Sequence, residues 1–238
     1  MIYTKQQIVG STQVGANAQL SAMGVFGVVE SAITECMGSQ HIDGLTTKRL
    51  YNAFWVFTKN CIKIYDSAHW GEVLAVQSFI SGVSLVKMTV DTVLKKSDGT
   101  LVAYSRCEMC ALDASTGRIR RTSTVGINES IAVETPLMEV AFEKFDESNL
   151  PQVETVTVRS TNIDFCQHCN NVEYLRFLFN TYKVSELIDN PVKEIQVDYI
   201  NQSYEGDALA VHKLIDGNRD LLSITNGSQT VIRCLIRH

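Results

Sequence analysis

Residues 162–171 read Asn-Ile-Asp-Phe-Cys-Gln-His-Cys-Asn-Asn, and they hold the side chains of this chain best suited to chemistry. The Asp164 carboxylate can orient a water or take its proton. The His168 imidazole, with an ordinary pKa of about 6.5, can accept a proton near neutral pH. Cys166 adds a thiol that could act as a nucleophile beside His168. Upstream, the alternating run Glu154–Arg159 predicts a strand. Downstream, Val172, Leu175, Phe179 and Tyr182 recur at helical spacing, which predicts a helix from about Asn171 to Lys183. Asp164 and His168 therefore fall in a strand-to-helix loop, and the helix points unpaired backbone N–H groups back at them. A carboxylate, an imidazole and a helix N-terminus in one place suit the polarising of a carbonyl and the handling of a proton. Asn170 and Asn171 stand at the junction, where they either hold a substrate or simply cap the helix, a position asparagine favours.

The seven cysteines offer a competing chemistry. Cys107/Cys110 and Cys166/Cys169 form two C-x-x-C pairs, and four thiolates would suit tetrahedral zinc. Their separation in sequence exceeds the usual ribbon spacing. Cys107 and Cys110 also lie in a strand-like run, where positions i and i+3 face opposite sides. No βαβ pattern surrounds either pair, as a thioredoxin-type site would need. Buried, reduced thiols are the expectation, with neither a metal nor a cofactor.

Composition bounds the rest. The 238 residues are 45% hydrophobic and 20% charged, in the ordinary globular range. The net charge of −5, with no nucleic-acid-binding motif in view, argues against a nucleic-acid partner. No apolar run reaches the ~18 residues of a membrane span, and no basic segment followed by an apolar stretch marks a signal peptide. A cytoplasmic location is expected.

The elements that position the loop occur twice. In the first half, a strand near Tyr3–Val9 precedes a long helix from about Gln19 to Met37, with Gly38 as its stop. Strands follow at Asn60–Tyr65, Glu72–Ser81, Leu85–Leu94 and Leu101–Leu112, the last two joined by the hairpin signal Asp98-Gly99. A final strand is predicted from Arg118 to Asn128. Gly24 and Gly27 cost helix propensity, and close approach of a sheet would account for them. In the second half, strands follow the helix at Lys193–Ile200, Asp207–Ile215, Leu221–Thr225 and Gln229–Arg237, with Asn226-Gly227 as the last turn. Gly71-Glu72-Val73-Leu74-Ala75-Val76 and Gly206-Asp207-Ala208-Leu209-Ala210-Val211 match between the halves, at the same distance after Ile64 and Tyr199. The expected fold class is α+β, with two tandem domains, 1–147 and 148–238, each a long helix packed on an antiparallel sheet. Val133–Val153, with Pro136 and Pro151, is the linker. The first half has Ser11–Ala18 ahead of its helix, with no Asp or His, so a single active centre in the second domain is expected.

Val158-Arg159, Asn162-Ile163-Asp164 and His168-Cys169-Asn170-Asn171-Val172 followed by Tyr174 resemble the Asp-x-Asn-x-His-x-Asn-Asn motif of the acyl-acyl-carrier-protein thioesterases. Phe54-Trp55-Val56, Ile62-Lys63-Ile64 and Trp70-Gly71-Glu72 carry the resemblance through the first half. It implies two tandem hot-dog domains and hydrolysis of a fatty acyl thioester to a free fatty acid. It also implies an acyl carrier protein bearing the acyl chain as partner; homodimer formation stays open. Asp164 and His168 match the family's Asp and His, while Cys166 replaces the Asn between them. Plant members place a catalytic Glu in a Tyr-x-x-Glu-Cys run; here Tyr199-Ile200-Asn201-Gln202-Ser203 puts Gln202 in that place. A glutamine is no base near pH 7, though it can hydrogen-bond a water. Coenzyme A esters remain an alternative substrate, and a non-catalytic acyl-binding protein an alternative function. Arg118, Arg120 and Arg121 are candidates to meet an acidic carrier.

Overall fold

The structure is a computed structural model that describes residues 1–133 and 138–238. Its contacts divide the chain into two compact units, Met1–Ala141 and Phe142–His238. Of the expected linker, Pro136 lies outside the described residues, and Pro151 directly precedes the first strand of the second unit.

The first unit comprises β1 (Ile2–Ile8), α1 (Ala22–Ser39), α2 (Gly44–Tyr51), β2 (Ala53–Ile64), β3 (Val73–Val83), β4 (Met88–Lys96) and β5 (Leu101–Asp113). Its strands lie in the order β1-β3-β4-β5-β2, every neighbour antiparallel. α1 packs on β1, β3 and β4. Its apolar positions Val25, Phe26, Val29, Ala32, Ile33 and Cys36 are buried at helical spacing, and the largest contribute roughly 1.5–3 kcal/mol each by leaving water. Ser21 caps it, accepting the Gly24 N–H at 3.0 Å.

The second unit repeats this plan with β6 (Gln152–Thr157), α3 (Asn171–Phe179), α4 (Val184–Asp189), β7 (Glu194–Tyr199), β8 (Ala208–Asp216), β9 (Arg219–Asn226) and β10 (Gln229–Arg237). The strand order is β6-β8-β9-β10-β7, again antiparallel throughout. The duplicated helix-on-antiparallel-sheet fold is the α+β class expected from the sequence, and Gly99 and Gly227 occupy left-handed positions in its hairpins.

Several local expectations are corrected. α3 stops at Phe179 rather than Lys183. Thr181 and Tyr182 turn back on Leu178 and Phe179, and Glu186 accepts the Lys183 N–H at 2.8 Å to start α4. Tyr182 leaves the helical stripe to bond Asp220 at 2.5 Å. The segment Arg118–Asn128 forms no strand. It makes an isolated bridge at Ile119 and a 3₁₀ turn over Thr122–Val125, closed by Gly126 at φ 79°. Arg120 there is drawn to the Tyr51 and Thr124 carbonyls. α2 was not foreseen, because it is short and polar; its one sequence mark is the cap Asp43, which accepts from Leu45 and Thr46. β2 starts at Ala53, before the expected Asn60, because a bulge between Phe57 and Lys59 breaks the alternation. As for Gly24, a Cβ there would collide with the Gln13 carbonyl, so a loop and not the sheet makes the close approach, while Gly27 has open space around it.

On β4, Asp91 is fully buried and collects four hydrogen bonds: from Tyr104 Oη (2.5 Å), Arg106 Nε and Nη2 (both 2.9 Å) and Ser81 Oγ (3.0 Å). Phe79, Val93 and Tyr104 form an apolar cluster beside it, and Val133, Met138 and Val140 pack over that cluster. This ion-paired patch seats the end of the first unit on its own sheet.

Candidate active site

After β6 the chain makes a 3₁₀ turn, Ser160–Asn162, and then the loop that leads to α3. The loop is closed by its own backbone: Asp164 N–H donates to the His168 carbonyl at 2.9 Å, and Gln167 N–H to the Asp164 carbonyl at 3.0 Å. Gln167 takes the left-handed conformation, φ 68°, to make that turn. The Asp164 Oδ1 accepts the Cys166 N–H at 2.8 Å and the His168 N–H at a long 3.4 Å. The loop thus brings Asp164 and His168 together, and both are half-buried. Asn170 caps α3, its Oδ1 accepting the Val172 N–H at 2.8 Å. Asn171 is the first helical residue, so its N–H precedes the intrahelical ladder. Asn162 ties the turn to the helix by donating to Glu173 at 2.7 Å.

The loop between β7 and β8 lies against this assembly. Cys169 N–H donates to the Ser203 carbonyl at 2.9 Å. The buried Tyr174 and Ser203 hydroxyls meet at 2.5 Å, and Ser203 N–H donates to the Tyr174 oxygen at 2.9 Å. Tyr204 sets its ring edge-to-face on His168, with centroids 5.2 Å apart and planes at 65°. Gln202 directly precedes these two residues and is exposed. Its loop therefore runs beside Asp164 and His168, with the Gln202 side chain open to solvent. Tyr204 escaped the sequence reading, since a single aromatic before a Glu-Gly turn carries no motif. Ser203 aligns with the Cys of the Tyr-x-x-Glu-Cys run, and nothing in its spacing points to the bond with Tyr174.

Burial holds the His168 pKa below its ordinary value, opposed in part by the Asp164 carboxylate. The imidazole is therefore neutral, and able to accept a proton, at neutral pH. Cys166 is half-buried. Cys169 is buried, and burial foremost, with Glu173 next, pushes its thiol up to about 12. Burial also drives Cys107 and Cys234 well up. Such thiols are poor nucleophiles and poor ligands at neutral pH. Among the described residues no three His, Cys, Asp or Glu side chains are grouped to hold a metal ion.

The first unit contains the same loop without its chemistry. Gly15 N–H donates to Gln19 O, Ala18 N–H to Gly15 O and Ser21 N–H to Gln13 O. These repeat the bonds of Asp164 to His168, Gln167 to Asp164 and Asn170 to Asn162. Ala18 is left-handed like Gln167, at φ 58°. Leu20 N–H meets the Ala68 carbonyl as Cys169 meets that of Ser203, and Gly71 and Gly206 bond back to Val9 and Val158 alike. Gly15 thus stands where Asp164 does, Asn17 where Cys166 does and Gln19 where His168 does. The backbone is duplicated, and the carboxylate and imidazole are present once.

Two units of one strand order, each with a helix laid on its sheet and a capped loop at the helix N-terminus, define a double hot-dog protein. Residues 146–232 match the model of the acyl-ACP thioesterase C-terminal domain. The oleoyl-acyl carrier protein thioesterase 2 of Arabidopsis thaliana, a chloroplastic protein, is 23% identical over 251 residues, covering 96% of this chain and 68% of its own. An acyl-ACP thioesterase from Bacteroides thetaiotaomicron superposes with a TM-score of 0.89 at 19% identity, over 99% of this chain and 97% of that one. The 12:0-ACP thioesterase of Umbellularia californica gives 0.88 at 17%, over 99% and 96%. The second unit thus matches the acyl-ACP thioesterase C-terminal domain, and the whole chain shares the fold of the acyl-ACP thioesterases.

Proposed function

We propose that this protein hydrolyses a fatty acyl thioester carried on acyl carrier protein, and that the Asp164–His168 loop is its catalytic centre. The observation that carries this is the contrast between two loops of the same hydrogen-bonded backbone, of which one alone holds a carboxylate and a neutral imidazole at a helix N-terminus. The second unit is the catalytic copy, and the first supplies the fold without the chemistry.

The acyl carbonyl oxygen is placed toward the start of α3, where the Asn171 N–H and the helix dipole meet the charge it gains. Water, oriented by Asp164, attacks the carbonyl carbon while His168 accepts its proton. When the tetrahedral intermediate collapses, the carbon–sulfur bond breaks, the carrier leaves as a thiol with the proton returned by His168, and a free fatty acid remains. Gln202, on the neighbouring loop, hydrogen-bonds the water or the oxyanion. The Cys166 N–H donates to Asp164, so its backbone helps shape the loop, and no step of this route uses its thiol.

The carrier and the location are parts of the same proposal. Arg118 and Arg121 are exposed and suit an acidic carrier protein, whereas Arg120 is turned toward Asp113 and backbone carbonyls. Among the described residues no helix is long and apolar enough to cross a membrane, and we place the enzyme in the cytoplasm. Hydrolysis of acyl-carrier-protein and coenzyme A esters of graded chain length is the direct test. Faster turnover of the carrier-protein esters is expected, equal or faster turnover of the coenzyme A esters would move the substrate assignment, and no turnover of either would sink the proposal.

A glutamine at 202 favours one second reading, a protein that binds the acyl chain with slow or no hydrolysis. Gln202→Glu separates the two. It restores a carboxylate where plant members have one, so activity is expected to hold or rise, and the pH–rate profile to gain an acidic limb as that carboxylate titrates. A strong loss of activity in this variant would mean that the amide itself is required.

A further inference from the structure

We propose that Tyr204 is a positioning residue for His168, holding the imidazole in its working orientation through ring contact from the loop between β7 and β8. This inference rests on the reading of His168 as the group that accepts the proton.

Three observations carry it. The two rings meet edge-to-face at 5.2 Å and 65°, within the favoured range for aromatic pairs. The loop bearing Tyr204 is itself anchored on the helix of the site, through Ser203 to Tyr174 and Cys169. Finally, Tyr204 is fixed at its own backbone: its N–H donates to the Asp207 carboxylate at 2.8 Å, and Gly206 at φ 91° lets the chain turn back to Val158. The ring is 52% exposed, so it forms a wall of the site and contributes little to the core. The first unit keeps the backbone of this arrangement, with an isolated bridge pairing Gln19 and His69 at the equivalent positions, but not the imidazole that Tyr204 faces.

An imidazole on a loop can rotate about two side-chain bonds, and a ring packed on it removes most of those orientations. It also excludes water from that side, in keeping with the depressed pKa of His168. Asp164, from the same loop, and Tyr204, from the β7–β8 loop, face the imidazole, and Glu173 on α3 faces the neighbouring Cys169.

The test compares Tyr204→Ala, Tyr204→Leu and Tyr204→Phe with the parent enzyme by steady-state kinetics and by NMR titration of the His168 ring, assigned with His168→Gln. In Tyr204→Ala, kcat is expected to fall about tenfold with KM within about twofold, the mark of a misplaced catalytic group. The His168 titration should move up toward the ordinary histidine value, and the acidic limb of the rate profile should move with it. Tyr204→Phe keeps the ring and should stay near the parent on every measure, with Tyr204→Leu between the two. An unchanged kcat and an unchanged titration in Tyr204→Ala would overturn the proposal. So would a Tyr204→Phe as impaired as Tyr204→Ala, which would give the role to the hydroxyl. Should His168→Gln itself hydrolyse at the parent rate, the catalytic reading falls, and the titration still decides whether Tyr204 holds the ring.

Discussion

Replacing His168 or Asp164 with alanine is expected to lower the rate of thioester hydrolysis about a hundredfold or more, the usual scale for losing a general base or an oriented water. The two losses should differ in kind. His168→Ala removes the proton acceptor and should abolish the acidic limb of the rate profile. That limb, in the parent enzyme, should lie below pH ~6.5, because burial depresses the histidine pKa and the basic form persists to lower pH. Asp164→Ala also removes the acceptor of the Cys166 N–H, so part of its loss comes from a loosened loop. Asp164→Asn keeps an oxygen for that bond and removes the charge. If Asp164→Asn is as slow as Asp164→Ala, the charge is needed for catalysis; if it is near the parent, the residue serves to shape the loop. Parent rates in both alanine variants on every thioester tried would mean that the catalytic centre lies elsewhere.

A second large effect is expected in the first unit. Asp91→Ala should destabilise the first unit by about 3 kcal/mol, because it strands the Arg106 guanidinium in a largely buried place. The Arg106 side chain keeps 14% of its exposure, so the figure sits at the low end of the range for broken buried pairs. Tyr104, whose proton is held by burial and by Asp91, loses its acceptor as well. Urea unfolding measures the change. Adding Arg106→Met to Asp91→Ala should recover part of the loss, since the apolar pair leaves no charge unpaired. A single variant within about 1 kcal/mol of the parent would show that the guanidinium finds solvent instead.

Much of this architecture was legible because it is periodic. The strand Leu101–Leu112, the hairpin turns at Asp98-Gly99 and Asn226-Gly227 and the long first helix each express a local rule, and these appear where their patterns lie. The match of Gly71-Glu72 with Gly206-Asp207 was legible for the same reason, since both glycines serve one left-handed turn. Elements without periodicity were not. α2 rests on one cap and eight residues of mixed polarity, and the course of Arg118–Asn128 is set by long-range bonds such as Thr122 Oγ1 to the Ser84 carbonyl.

The site divides in the same way. The carboxylate, the imidazole and the cap at the head of a helix were legible in the residues alone, because they lie within one short segment governed by loop and helix-terminus geometry. What surrounds them depends on how distant segments pack. Ser203 and Tyr174 join residues remote in sequence by hydroxyl and backbone bonds, and no spacing rule encodes such a contact. Tyr204 reaches His168 only because the β7–β8 loop is pinned to α3. The first unit shows the converse: Gly15, Asn17 and Gln19 fold into the same loop, since backbone hydrogen bonds and a left-handed residue shape it, while the side chains that could do chemistry are matters of sequence alone.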